Sequence, residues 1–177
     1  MNLNEIIVKS LTESTLQVFS TMLGVEIPSG EAVVESSMPE ANEGVVSFIG
    51  VAGSWAGTGS VSCSPSMACK ICATMLMCEA AAVNEEVLDT VAELTNMIIG
   101  SVKTELEQTL GPLGLSIPTV VYGRNFKTKS AGNTDWVVVR FQWDGEPLIV
   151  KLCLEPKEQA KHVVFHTSTT ESCALDV

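Results

Sequence analysis

The sequence predicts an α+β fold, a single domain in which a largely antiparallel β-sheet carries packed α-helices. One observation is a long segment, residues 84–110, whose apolar residues recur with the period of an α-helix. Another is a pair of apolar segments, residues 136–143 and 147–154, joined by Asp144-Gly145, a dipeptide favoured in two-residue hairpin turns. The predicted order is a helix, strands, two helices and more strands, and 177 residues suit one domain.

Residues 84–110 have the clearest helical pattern. Successive residues of an α-helix are turned by about 100°. On this basis one side of the helix, roughly a quarter of its circumference, contains Val87, Val91, Leu94, Ile98 and Val102. The opposite side aligns a set that we call the ridge: Asp89, Glu93, Asn96, Gly100 and Lys103. Asn84 is a good N-cap, and Gly111-Pro112 follows the last apolar residue, so the helix start and stop signals agree with the period.

The segments before this helix predict one helix, a hairpin and a short second helix. Residues 4–23 have apolar residues near helical spacing, with Asn2 or Asn4 as the cap and Gly24 as the stop. Residues 31–38 are a weak strand candidate, and 39–44 form an acidic, turn-rich link. A buried strand at 45–52, a turn at 53–57 and an alternating strand at 58–64 suggest a hairpin, and Pro65 opens a helix that continues to about residue 77.

The segments after the central helix predict the rest of the sheet. Residues 115–122 form a strand that Pro118 interrupts, so we expect it at a sheet edge or at a bulge. The hairpin of 136–143 and 147–154 follows and completes the predicted domain, residues 1–154. Residues 155–177 are more polar, with one apolar run at 163–165, and are predicted to be an extra strand or a partly ordered tail.

Composition narrows the classes of partner. Ten Lys and Arg against 21 Asp and Glu give a net charge of −11, which disfavours binding to a nucleic-acid backbone. The N-terminus does not have the pattern of a signal peptide. Residues 45–69 carry no charge, but their repeated glycines, serines and threonines favour strands and turns over a membrane span. We therefore expect a cytoplasmic protein without membrane insertion.

Four of the six cysteines lie close together in sequence, and they suggest two alternatives. Cys69 and Cys72, flanked by Cys63 and Cys78, could bind zinc or act as a redox pair. However, Cys69 and Cys72 lie within an apolar helical pattern, whereas zinc ribbons place paired cysteines on turns. We expect reduced, buried or half-buried thiols, and no metal site or cofactor in this chain.

The ridge also has two interpretations. A polar stripe on an amphipathic helix is most often a solvated face, and Glu-x-x-Asn by itself is a weak motif. Nothing in the spacing of Glu93 and Asn96 decides between a solvated face and a site.

The surrounding sequence is more specific. Asp89, followed by Glu93 and Asn96 within ELTNMIIG at 93–100, resembles the signature helix of the CheX/CheC/FliY family of response-regulator phosphatases. The family pattern continues to a proline some twenty residues after the asparagine, where Pro118 stands. The glycine-rich hairpin at 44–64 and the following SMACKICATMLM are also similar to the segment that precedes this signature in CheX. The resemblance covers residues 44–122 well and the rest only as an order of elements.

The resemblance implies hydrolysis of the aspartyl phosphate on a phosphorylated CheY-like response regulator, in chemotaxis or a related two-component pathway. Asn96 would orient the attacking water, and Glu93 would dock the receiver through its active-site lysine. Gly100 would let the partner approach closely, and Asp89 and Lys103 would belong to the docking surface. The magnesium ion would belong to the receiver.

The number of motifs is informative as well. CheC-type members carry two such helices, but the first predicted helix here offers Glu13-Ser14-Thr15-Leu16, with leucine where asparagine is required. A single site is the CheX arrangement, which implies a homodimer. The alternative function is a non-catalytic CheX-like domain that binds or sequesters a receiver.

Overall fold

The computed structural model describes residues 2–28, 30–36, 42–126 and 135–157. The elements in chain order are α1 (Leu3–Val18), a π-helical turn (Phe19–Leu23), β1 (Glu31–Glu35), β2 (Asn42–Gly53), β3 (Trp55–Cys63), α2 (Pro65–Leu76), α3 (Glu85–Leu110), β4 (Leu113–Leu115), β5 (Thr119–Phe126), β6 (Trp136–Trp143) and β7 (Glu146–Pro156). These elements confirm the predicted α+β class.

The first helix forms where the sequence places it. Asn2 caps it, with the Asn2 side chain accepting from the Glu5 amide while the Glu5 carboxylate accepts from the Asn2 amide. This capping box satisfies amides at the helix start that would otherwise have no partner. The last predicted turn widens into the π-helical turn, and Gly24 ends it at φ 65°. The prediction of one helix ending at Gly24 is confirmed, with this change of geometry.

The sheet has seven strands in the described part of the chain, in the order β1-β6-β7-β3-β2, with β4 and β5 both paired to β2. All of these pairings are antiparallel. Both predicted hairpins are present. In the β6–β7 hairpin, Asp144 and Gly145 have φ of 51° and 82°, as a type I′ turn requires at both central positions.

The strand predicted at 115–122 is divided into β4 and β5. Between the pairs Val51↔Leu115 and Phe48↔Thr119, three residues, 116–118, stand opposite two on β2. Proline has no amide proton for the ladder, and Ser116 bonds Gly50 instead, through both its amide and its hydroxyl. A single strand was thus the wrong prediction, but the edge position and the bulge are confirmed.

The helices share one face of the sheet and enclose the main core with it. α3 contacts β2, β3, β4 and β5, whereas α1 contacts β6 and β7 as well as α3. α2 is held to the β6–β7 hairpin, because Ser66 donates to Glu146 at 2.6 Å and Lys70 Nζ lies 4.2 Å from the centre of the Trp143 ring. The other face of the sheet buries Trp136, Val138 and Cys153 in a separate small cluster.

The C-terminal boundary differs slightly from the prediction. β7 continues through Glu155 to Pro156, which pairs with Trp55 in β3, so these two residues belong to the sheet. Lys157 follows, its amide donating to the Ser54 carbonyl at 3.2 Å. Residues 158–177 of the predicted tail, with the apolar run at 163–165, lie outside the described residues.

A glycine in β3 sets how closely α3 lies on the sheet, and this contact can be tested. A Cβ at Gly59 would lie 2.9 Å from Ile99 Cδ1, closer than packed carbon atoms allow. We expect Gly59→Ala to lower the free energy of unfolding, measured by urea denaturation, by about 1–3 kcal/mol. In an Ile99→Ala background the same change should cost much less, because the space is then available.

Gly114→Ala in β4 is the matched control. A Cβ there would lie 3.5 Å from the Ala52 carbonyl oxygen, an ordinary contact. Its effect should stay within about 0.5 kcal/mol. Equal stability of Gly59→Ala and wild type would show that the Gly59 contact does not set the position of α3.

Candidate functional site

The candidate site lies on α3, whose start and end are both fixed by hydrogen bonds. The Asn84 side chain accepts from the Val87 amide at 3.0 Å, and Glu85 and Glu86 occupy the first turn, where carboxylates interact favourably with the helix dipole. Gly111 follows the last residue at φ 80°. The predicted bounds of the helix are confirmed.

One side of α3 is completely buried, as its period predicts. Every member of the predicted apolar set is fully inaccessible to solvent: Val87, Val91, Leu94, Ile98 and Val102. Ile99 and Leu106 extend the buried surface along the helix. Burial of each side chain of this size stabilises the fold by about 1.5–3 kcal/mol. The packing of this side therefore fixes the position of the residues on the outer side of the helix.

Asp89, Glu93 and Asn96 lie on the outer side and are exposed. Residues three and four apart on a helix are neighbours, so these three side chains form one polar surface about two turns long. Within the described residues, Glu93 and Asn96 make no side-chain hydrogen bond or ion pair. Their carboxylate and amide are thus available to a partner.

Gly100 continues this surface and is half-buried beside β4. A Cβ at this position would meet only Leu115 Cδ1, at 3.9 Å, which is an ordinary van der Waals contact. The fold itself therefore has room for alanine here. A requirement for glycine would have to come from a partner that approaches the helix backbone.

Lys103, the last residue of the ridge, is engaged within the protein. Its ammonium lies 2.7 Å from the Glu107 carboxylate, and the two side chains are 25% and 29% exposed. Glu107 also accepts from the Leu113 amide at 2.9 Å, at the start of β4. These hydrogen bonds hold the pKa of Glu107 below its ordinary value. Lys103 is thus paired with Glu107, and Glu107 joins α3 to β4.

A shallow depression between the end of α2 and the first half of α3 borders the ridge. It is lined by Met75, Leu76, Glu86, Thr90 and the ridge residues Asp89 and Glu93. Leu76 is 48% exposed and Met77, at the turn that follows, is 94% exposed. Analysis of the sequence missed these two apolar residues, although the run MLM beyond the buried side of α2 is a visible signal for an exposed apolar rim.

A family model described as "Chemotaxis phosphatase CheX" matches residues 45–142, which include most of the sheet and all of α3. These residues are more than half of the chain. The chain belongs to the CheX family.

Known relatives extend this match. The CheY-P phosphatase CheX of Thermotoga maritima is 32% identical over 127 residues, which cover 71% of this chain and 81% of that protein. A CheC-like superfamily protein from Shewanella sp. PV-4 has a similar structure, with a TM-score of 0.76, 25% identity and coverage of 88% and 99% of the two chains. The CheX of a CheX–CheY–BeF3–Mg²⁺ complex from Borrelia burgdorferi shares the fold at a TM-score of 0.68, with 22% identity and coverage of 84% and 97%.

The cysteines of this CheX-family chain are free thiols wherever the structure describes them. Cys63, Cys72 and Cys153 are buried, and Cys69 and Cys78 are half-buried. Burial raises the pKa of Cys63 to about 12, so this thiol is protonated at neutral pH. The predicted buried and half-buried thiols are confirmed for these five.

None of the three helices in the described ranges is long and apolar enough to span a bilayer.

The link from Glu107 to β4 predicts a dependence of stability on pH. Because the pKa of Glu107 is lowered in the folded protein, its ionised form stabilises the fold above the ordinary value of 4.5. Wild type should be more stable than Glu107→Gln at pH 7. The difference should shrink as the pH falls below 4.5 and vanish below the pKa of the folded state. Urea denaturation at a series of pH values measures it.

Glu105→Gln is the control for this prediction. Glu105 lies on the same helix turn but makes no side-chain hydrogen bond or ion pair with any described residue. The difference in stability between wild type and Glu105→Gln should stay the same between acid and neutral pH. A difference between wild type and Glu107→Gln that stays constant with pH would contradict the role of the carboxylate.

Proposed function

We propose that this chain hydrolyses the aspartyl phosphate of a phosphorylated CheY-like response regulator. The observation that carries the proposal is the exposure of Glu93 and Asn96, without internal partners, on adjacent turns of a helix whose other side is buried. Support comes from the relative named CheY-P phosphatase and from the related fold found in a complex with CheY.

Asn96 suits the hydrolysis of an acyl phosphate. Such a phosphate is already activated, so the reaction needs a water molecule held in line with the bond to phosphorus more than it needs a strong base. The amide of Asn96 can both donate and accept hydrogen bonds, but it cannot take up a proton at neutral pH. Its role is to orient the water, which lowers the barrier through position.

Glu93 suits a docking role. A carboxylate without an internal partner can form a charge-assisted hydrogen bond to an ammonium group, and we assign it to the active-site lysine of the receiver. Because Glu93 lies one helical turn before Asn96, this contact would fix where the amide meets the phosphoryl group. Asp89 lies one turn further away, at the rim of the same surface.

The other components follow from this assignment. The magnesium ion belongs to the receiver, so the reaction requires no cofactor from this chain. We further propose that the protein acts in the cytoplasm, as its substrate does, and as a homodimer. β1 lies at one end of the described sheet and β4 and β5 at the other, so either end could extend the sheet across a two-fold axis.

Replacement of the amide tests the proposed role of Asn96. Asn96→Ala should lower the rate constant for dephosphorylation of the receiver by about 100-fold, because the water is no longer oriented. Its circular dichroism and urea denaturation should match wild type, since Asn96 is exposed and makes no side-chain hydrogen bond within the described residues. The decay of radiolabelled phosphoryl receiver gives the rate.

Gln108→Ala is the matched control, because Gln108 is an exposed amide of α3 that lies outside the ridge. It should dephosphorylate the receiver at the wild-type rate. Equal activity of Asn96→Ala and wild type would sink the proposed role. A wild-type protein that lengthens the phosphoryl lifetime would select the alternative, a domain that binds or sequesters the receiver.

Gly100 allows a test of close approach by the partner. Gly100→Ala should leave stability unchanged or raise it by up to about 1 kcal/mol, since alanine favours the helix and the fold has room for its methyl group. The same methyl group should reduce kcat/KM for receiver dephosphorylation about fivefold or more, the effect of overpacking a close contact.

Thr109→Ala is the control, because Thr109 is an exposed residue at the end of α3, away from the ridge. It should not change kcat/KM. Full activity of Gly100→Ala would show that the receiver does not contact the helix backbone at this position.

A further inference from the structure

Three potential metal ligands come together beside the ridge. Cys72 is on α2, Cys78 is just beyond its end, and Glu86 is in the first turn of α3. The two Sγ atoms and a carboxylate oxygen all lie within 4.8 Å of one another. Cys69 and Cys72 form a Cys-x-x-Cys motif in the sequence, but in the folded chain Cys72 lies next to Cys78 and Glu86.

The backbone and its neighbours hold this cluster. Met77 adopts a left-handed conformation, with φ of 52°, and turns the chain back over α2. The amide of the next residue, Cys78, then donates to the Ala73 carbonyl at 3.2 Å. On the α3 side, the Thr90 hydroxyl donates to the Glu86 carbonyl at 2.7 Å, and its oxygen lies 3.5 Å from Cys72 Sγ. The cluster is therefore held by contacts with both helices.

Access from solvent follows the depth of the three residues. Cys72 is fully buried, Cys78 is half-buried and Glu86 is exposed. Glu86 also lines the depression next to Asp89 and Glu93. An ion could thus enter from this depression, meet the carboxylate first and reach the deeper thiolates behind it.

The donor set selects a class of metal. Calcium and magnesium prefer sites made only of oxygen atoms, whereas thiolates select zinc and similar soft cations. Zinc binds cysteine sulfur at about 2.3 Å in a tetrahedral arrangement, so two sulfurs on one ion are about 3.8 Å apart. A small movement of the side chains would bring the cluster to these distances. Three protein ligands would leave the fourth position to water.

We propose that Cys72, Cys78 and Glu86 form a zinc-binding site that joins the end of α2 to the first turn of α3. Binding replaces two thiol protons, which pass to solvent, and forms two zinc–sulfur bonds and one zinc–oxygen bond. No group is oxidised or reduced. The bound ion would fix the apolar rim of Leu76 and Met77 next to the ridge, but the site stands independently of the phosphatase proposal.

Zinc binding to the reduced, chelator-treated full chain tests the site. In competition with a chromophoric chelator, wild type should bind one zinc ion per chain. The zinc affinity of Cys78→Ser and of Glu86→Gln should each be at least about tenfold lower. Cobalt in place of zinc should give a thiolate charge-transfer band in the near ultraviolet. This band should disappear in Cys78→Ser, and zinc should raise the Tm of wild type but not of this variant.

Cys69→Ser is the matched control, because Cys69 is a half-buried thiol one turn before Cys72 and is not part of the cluster. It should bind zinc as wild type does. Any ion held by donors elsewhere in the chain would remain bound in Cys78→Ser. Equal zinc binding by wild type, Cys78→Ser and Glu86→Gln overturns the proposal. So does a wild-type chain that binds no zinc and instead forms a Cys72–Cys78 disulfide in air, detected by mass.

Discussion

The packing of α3 onto the sheet is the constraint on which the rest of the structure depends. Its buried side reaches the centre of the sheet because β3 offers Gly59, not a side chain, where Ile99 lies. Dense packing of this kind leaves little freedom for the helix to shift or rotate. The orientation of every outer residue, Asn96 included, is thereby set by contacts on the opposite side of the helix.

The two ends of α3 add to this constraint in different ways. At the start, Asn84 satisfies an amide that has no partner within the helix. At the end, Glu107 bonds both Lys103 and the Leu113 amide, so the last turns are tied to β4. The role proposed for Asn96, orienting a water molecule, depends on such rigid support, because movement of the helix would misalign the water and raise the reaction barrier.

Much of this frame could be predicted from sequence because it follows from local rules. The 3.6-residue period identified the buried side of α3, and Asp144-Gly145 identified the C-terminal hairpin. The same period placed Glu93 and Asn96 outside, where the structure has them. Periodicity could not give them a function, since any solvated polar stripe has the same spacing. That step required the resemblance of the wider segment to a family.

The features that the sequence did not reveal depend on contacts between distant residues or on a single backbone angle. Lys103 has the spacing of the ridge, and the structure adds an ion pair between its ammonium and the Glu107 carboxylate one turn further along. Ser116 replaces the ladder bond that Pro118 disturbs, and a single strand becomes two. Cys78 meets Cys72 only because Met77 takes a left-handed conformation, which a non-glycine residue seldom adopts. Pattern analysis finds elements, whereas a site made where elements meet depends on how the chain turns between them.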